Sequence, residues 1–588
     1  MRPFLLALAL GAAFTQIAAA QTPTPEAEKK KIRLEGSVLS TTGEPVRKAT
    51  LRLQSNGPAQ PGQPPTAYTE STDNAGKYVF EDVAEGRYTL AAEKAGFVTQ
   101  RYGARATGST GTVLSLIQGV QLKDLNIKMT PQGVISGKVT DQEGDPLTGG
   151  QVNVLRFTYP RGRKQLSQMS VATTNDQGEY RIANLAPGRY YLNVTDRRQL
   201  VVTAGVDRTK PTPEGNVTTY YPNSLDATSA APLDVTAGVE LRGIDLRMRR
   251  AKVYSIRGKA VDLATGAAPA TAIIALTTKG TTDGSLNSAG TSLNQLRPDG
   301  QFEYRSLLPG TYVLQTMNNI SLNGSTGPGY VGRAEITITE SNVENAVLAL
   351  GPAAEINGTI KLENGDLQTL LKPAGSQNAG ASSALAPVAN APRLNLALVE
   401  FEGLSLGSST AQVKDDGTFK VTGLGPNKYA VNFNLLPAGA YVKSVRFAGQ
   451  DVTHSLLDMS SMAGGTLDIM LSDKAADVSG SVQNDKGEPM PGVQVTLWPK
   501  TADPGNTTSI KQANTDQNGG FKFTSLAPGD YYVAAWEELD AGLAQSPDFL
   551  KNFTGDGSAV KLGEGAHESL QAKMVGRAKI VAEMAKIP

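Results

Sequence analysis

One thirteen-residue phrase recurs five times in this chain and narrows the fold more than any other feature. Its second copy runs Gly178-Glu-Tyr-Arg-Ile-Ala-Asn-Leu-Ala-Pro-Gly-Arg-Tyr190. Tyr180 and Ile182 alternate with Glu179 and Arg181, the period of a half-buried strand. Pro187-Gly188 then supplies turn chemistry, proline presetting φ and glycine tolerating positive values. Tyr190, Leu192 and Val194 resume the alternation, so the phrase reads as a β-hairpin. The other copies lie at 76–88, 300–312, 417–429 and 519–531, always with glycine and tyrosine twelve positions apart. In the fourth, Asn427 replaces the turn glycine, and asparagine tolerates left-handed geometry best after glycine. A spacing of roughly a hundred residues is too long for solenoid repeats of about 20–50. Each copy predicts a domain.

Around the phrase the units share a plan. Each opens on a strand with a central glycine: Gly36, Gly137, Gly258, Gly358 and Gly480, as in Ile135-Ser-Gly-Lys-Val139. Glycine inside a strand marks a bulge or the close approach of another backbone. Three units continue with a nearly identical turn, Gly43-Glu-Pro45, Gly144-Asp-Pro146 and Gly487-Glu-Pro489. Amphipathic strands close the units at 125–129, 244–248, 467–471 and 570–574, with a less regular version at 347–350. The expected organisation is a signal peptide at 1–20, a flexible leader at 21–31, and β-sandwiches at 32–130, 131–251, 252–351, 352–475 and 476–576. Within the fourth, 373–392 holds almost only small and polar residues and is expected to be disordered. Residues 577–588 form a helix-compatible tail. The short connections favour a semi-rigid string of units.

The opening I-x-G-x-V strand, the G-x-P turn and the G-x-[FY]-x-[FIV]-x-x-L-x-P-G-x-Y phrase resemble the carboxypeptidase regulatory-like domain family. That resemblance implies a transthyretin-like (prealbumin-like) β-sandwich, related to Cna-B and starch-binding-like modules. It implies about seven antiparallel strands per unit in two packed sheets. The expected fold class is therefore all-β, a tandem array of about five antiparallel Greek-key sandwiches. The fourth unit departs most, with Asn364-Gly365-Asp366 in place of the G-x-P turn.

The family name suggests a peptidase, yet a zinc carboxypeptidase needs two histidines and a carboxylate on its metal. Only His454 and His567 are present, in different units, and the chain has no cysteine. Thiol chemistry, disulfides and cysteine–zinc sites are thereby excluded. No Gly-x-Ser-x-Gly elbow or phosphate-cradling loop occurs, so neither catalysis nor a cofactor is expected. With 56 basic against 55 acidic residues, a nucleic-acid partner is not expected. Asp73, Asn175, Asp415 with Asp416, and Asp516 precede the phrase, but they lack the twelve-position ligand set of an EF-hand and read as Asx turns. No metal is expected there. In the related Cna-B modules a first-strand lysine can form an isopeptide bond, but alternation puts Lys138 and Lys259 on the polar face.

At the N-terminus, Arg2, an apolar run at 4–14 and Ala18-Ala19-Ala20 form the three parts of a secretory signal. Cleavage is expected between Ala20 and Gln21. The run is shorter than the ~20 residues of a membrane-spanning helix, and no later stretch could span as a helix. The expected location is periplasmic, cell-surface or secreted. What remains are outward aromatics: Tyr191 beside Asn193, Tyr220 and Tyr221, and in the fifth unit Trp498, Tyr532 and Trp536. Such rings stack on sugars or cover a neighbouring unit or loop, and the loop at 539–553 with Phe549, Leu550 and Phe553 is the available cover. Two functions follow. One is a non-catalytic spacer or adhesin binding cell-envelope or extracellular proteins; the other is a polysaccharide-binding array.

Overall fold

The computed structural model describes residues 32–587 except 57–66, 106–110, 118, 161–163, 197–213, 269–272, 280–290, 318–329, 372–393, 401–407, 435, 438, 462–463 and 502–508. The expected signal peptide, leader and fourth-unit insertion lie outside the described residues. Strands dominate, arranged as five sandwiches with separate cores drawn from residues 32–129, 135–248, 254–350, 356–471 and 476–572.

The second unit shows the common plan. Its opening strand Gly133–Thr140 pairs antiparallel with Glu179–Leu185, the first half of the recurring phrase. The second half, Gly188–Asp196, instead pairs with Gly150–Thr158 in the opposite sheet. The phrase is therefore not a hairpin but an arch that crosses the sandwich. The other four copies divide in the same way. Alternation told which residues point inward but not which strand each half bonds to, and that is why a hairpin was expected.

The strained residue of the arch is also not where turn chemistry put it. Six positions after the first glycine, Asp82, Asn184, Ser306 and Ser525 adopt φ of 58–60°, and the fourth copy has Gly423 at 80°. Each sits at a register skip: Gly133 faces Leu185, but Ile135 faces Ile182, so the phrase strand carries one extra residue. The turn glycines Gly86, Gly188, Gly310 and Gly529 are nearly extended, at 153–159°, and Asn427 takes no positive φ at all. In the first and fifth units the glycine instead leaves room for the closing tyrosine, since a methyl at Gly86 or Gly529 would come within 3.2 or 3.3 Å of its ring. That tyrosine pins the arch. Tyr190, Tyr312, Tyr429 and Tyr531 each donate a hydroxyl hydrogen bond to the carbonyl four residues upstream, at 2.7–3.1 Å.

Each closing strand runs parallel to the opening strand, a departure from a purely antiparallel sandwich, and the fifth unit adds a second parallel pair between Lys573–Val575 and Gly529–Trp536. The third unit's version, expected to be irregular, is the continuous ten-residue strand Val343–Pro352. Ala346, Leu348 and Leu350 are buried while Val347 is exposed, so an apolar outward residue had hidden the alternation.

The central glycine of every opening strand lies directly opposite the first aromatic of the phrase: Gly36 and Tyr78, Gly137 and Tyr180, Gly258 and Phe302, Gly358 and Phe419, Gly480 and Phe521. A methyl there would overlap a carbonyl oxygen of the closing segment, from Leu125, Ile244, Ala346, Leu467 or Leu570. Tyr78 and Tyr180 donate hydroxyl hydrogen bonds to those carbonyls at 2.5 Å. The opening strand also binds the phrase's first glycine, with the amides of Val38, Val139, Ala260, Ile360 and Val482 donating to its carbonyl at 2.7–2.9 Å. Gly480→Ala is expected to destabilise the fifth unit by about 1–3 kcal/mol, the usual cost of overpacking against backbone. Tyr531→Phe is expected to cost about 0.5–1.5 kcal/mol, one net hydrogen bond. Chemical denaturation of the full chain, followed by tryptophan fluorescence from the fifth unit, checks both values and their order.

Candidate functional site

The fifth unit places its aromatics on neighbouring strands. Gln494–Pro499 and Gly529–Trp536 pair antiparallel, setting Trp498 opposite Tyr532, Thr496 opposite Ala534 and Gln494 opposite Trp536. The period of two turns these side chains away from the core containing Tyr531, Val533 and Ala535. Their ring centroids lie close together, Trp498 at 5.7 Å from Tyr532 and 6.2 Å from Trp536. The indole N–H of Trp536 donates to Thr496 Oγ1 at 2.9 Å.

This outward face is not open. Trp498 is 3% exposed and Trp536 1%, whereas Tyr532 is half-buried. The segment after Trp536 folds over it as short helical turns, with the Ser546 hydroxyl capping Pro547–Leu550. Phe553 meets Trp536 edge-on at 5.1 Å, and Phe549 lies 5.1 Å from Phe553. Leu543, Leu550, Val575 and Ile580 complete a second core. Ile580 belongs to the C-terminal helix Arg577–Met584, so the expected appendage is packed into the domain. Of the two uses the sequence left open for Trp498 and Trp536, stacking on sugars or being covered, the structure has their faces covered, because so large an apolar area on a sheet face is stable only when withdrawn from water.

Tyr159, from the second unit, joins the same cluster, and nothing in the sequence marked it. Its carbonyl abuts Gly542, and burial, then the neighbouring Asp540, pushes its hydroxyl pKa up. From the first unit, the Gly111 carbonyl accepts a hydrogen bond from Asn514 Nδ2 at 3.2 Å, and Gly103 packs on Gly492. Arg105 is buried enough to lower its pKa, with Glu537 opposing the shift. The fifth unit therefore packs against the first two, contacts that the short connections between units did not indicate.

In the second unit Tyr220 is 9% exposed, packed with Leu155 and Ala230, and Tyr221 rests half-buried against the unit's core. Tyr191 is half-buried, its ring 5.1 Å from Phe157 and nearly perpendicular to it. Its outward neighbour Asn193 is buried and accepts from Asn153 Nδ2 at 2.8 Å. A flat ligand thus finds Tyr220 covered, and only parts of Tyr191, Tyr221 and Tyr532 face solvent. The acidic turns hold their own backbone: Asp73 Oδ1 accepts the amides of Ala75 and Lys77, Asn175 Oδ1 those of Gln177 and Glu179, and Asp516 Oδ1 those of Asn518 and Gly520. His567 is exposed, its Nδ1 at 3.7 Å from Asp477, whereas His454 lines a cleft beside Trp498.

Comparison with known families matches the carboxypeptidase regulatory-like domain to residues 33–125, 134–218 and 477–539. No curated protein matches the chain at a significant level. Among solved structures, a streptococcal ancillary pilin is 13% identical, covering 54% of this chain and 98% of its own, with a TM-score of 0.18. The Bacillus anthracis TIE protein is 10% identical over 95% of this chain and 76% of its own, at 0.14. The minor pilin GBS52 of Streptococcus agalactiae is 13% identical over 37% and 96%, at 0.20.

Trp536→Ala is expected to remove about 3–5 kcal/mol from the fifth unit, the range for truncating a buried large aromatic. Calorimetry of the full chain should show that unit's transition lowered. An unchanged transition would mean that the second core does not form.

Proposed function

We propose that this chain, three of whose units match the carboxypeptidase regulatory-like domain, is an exported, non-catalytic scaffold that holds protein partners at the cell envelope or outside the cell. The observation that carries this reading is how the repeated residues are used. The recurring glycines, tyrosines and acidic turns contact their own backbone. That chemistry builds rigid spacers and leaves the loops to vary. Among the described residues no helix is long and apolar enough to cross a membrane, and the three-part N-terminal signal supports export. A second reading, polysaccharide binding, draws on the half-exposed Tyr191 and Tyr532 and on the cleft beside Trp498.

Fractionation with N-terminal sequencing tests the first reading. The protein is expected outside the cytoplasm, beginning at Gln21, and crosslinking in intact cells is expected to join it to envelope or extracellular proteins. Cytoplasmic protein retaining Met1 would overturn the reading. A glycan array probed with the full mature chain tests the second.

A further inference from the structure

At the border of the fourth and fifth units lies a cleft of about 640 Å³, within the ~300–1,000 Å³ of small-ligand sites, which favour domain interfaces. Trp498, Pro499, Ile510 and Pro547 give it an apolar lining. His454 enters from the fourth unit, and Lys500, Thr501, Asp548, Lys551 and Thr554 supply polar groups. We propose that this cleft binds a short acidic oligosaccharide of the uronic-acid type. The proposal gives the polysaccharide reading a definite site and rests on that reading, not on the scaffold reading.

Three observations point to such a ligand. First, the lining carries two lysines against one carboxylate, so a ligand carboxylate meets a net positive rim. Lys551 is tied to Asp548 at 3.0 Å, but both side chains are more than 60% exposed, and so open a pair exchanges partners at little cost. Lys500 has its Nζ 5.6 Å from the centre of the Tyr532 ring, an exposed cation–aromatic contact of similar weakness. Second, the indole N–H of Trp498 is buried without an acceptor among the described residues. A buried donor left unpaired carries a desolvation cost of about 1–3 kcal/mol. A ligand hydroxyl or carboxylate seated on the Trp498 edge, after a small shift of that side chain, removes it. Third, proline and isoleucine faces interleaved with threonine hydroxyls suit a pyranose, whose C–H faces are apolar and whose rim is hydroxylated. Neither tryptophan offers an open face for a nucleobase, and the polar groups of the lining are side chains, unlike the free strand edge that an extended peptide would pair with.

The test uses the full mature chain with oligogalacturonate of three to five sugars, beside neutral maltopentaose and a poly-glutamate peptide. Titration calorimetry is expected to detect the galacturonate alone, with affinity falling as salt rises. The double variant Lys500→Ala/Lys551→Ala is expected to weaken binding at least tenfold without moving the melting temperature. Asp548→Asn, which removes the competing carboxylate, is expected to tighten it. The chain has only two tryptophans, so in a Trp536→Phe background the emission of Trp498 reports its own edge and should shift on binding. If that variant misfolds, the lysine and Asp548 variants still decide. No heat with galacturonate, equal affinity for the neutral sugar or the peptide, or an unchanged affinity in the lysine double variant overturns the proposal. Any of these leaves the scaffold reading in place, and a glycan-array signal surviving the lysine variant would move the polysaccharide site elsewhere.

Discussion

Each sandwich in this chain depends on one close contact, where the closing segment lays a carbonyl against the bare Cα of the opening strand's central glycine. The same glycine lies opposite the first aromatic of the recurring phrase, and in every unit but the second that aromatic side chain also reaches the space that a side chain on the glycine would have filled. Two backbones can approach this closely only where Cβ is missing. The contact brings the unit's first and last strands side by side in parallel, joining its ends across roughly a hundred residues of sequence. Phenylalanine satisfies the packing alone, and tyrosine adds a hydroxyl bond to the same carbonyl in the first two units.

The phrase then carries the chain from that sheet to the opposite one. A left-handed residue and a one-residue bulge turn the strand, and the closing tyrosine ties the crossing to its own backbone in four of the five units. The bulge position carries the left-handed backbone of the arch, at a sheet end where side chains such as Asp82 and Asn184 reach solvent.

The fifth unit adds something that the others lack. Its outward sheet face carries both tryptophans, and loop, C-terminal helix and Tyr159 of the second unit close over them. Apolar area that would otherwise invite a ligand or a second chain is used to fasten the last unit to the beginning of the array. The cleft proposed as a ligand site lies at the border of that cluster, lined by Trp498, two lysines and the fourth unit's His454.

The sequence by itself determined the all-β class, the fivefold repetition and the inward residues of each strand, because period-two alternation and recurring glycines are local signals. It also singled out Gly36, Gly137, Gly258, Gly358 and Gly480 as sites of a bulge or a close backbone approach, without deciding between the two. Tertiary structure alone decided that the phrase is an arch, that closing strands run parallel, and that φ turns positive at Asn184 and not at Asn427. Pairing partners lie far apart in sequence, and alternation is identical whichever strand they choose. The aromatic candidates divided on the same line. Outward placement of Trp498, Tyr532 and Trp536 was legible from strand phase, and Phe549 and Phe553 could be named as cover, but Tyr159 could not. It joins the cluster around Trp536 from more than three hundred residues away, and no local pattern encodes a contact made only when separate domains dock.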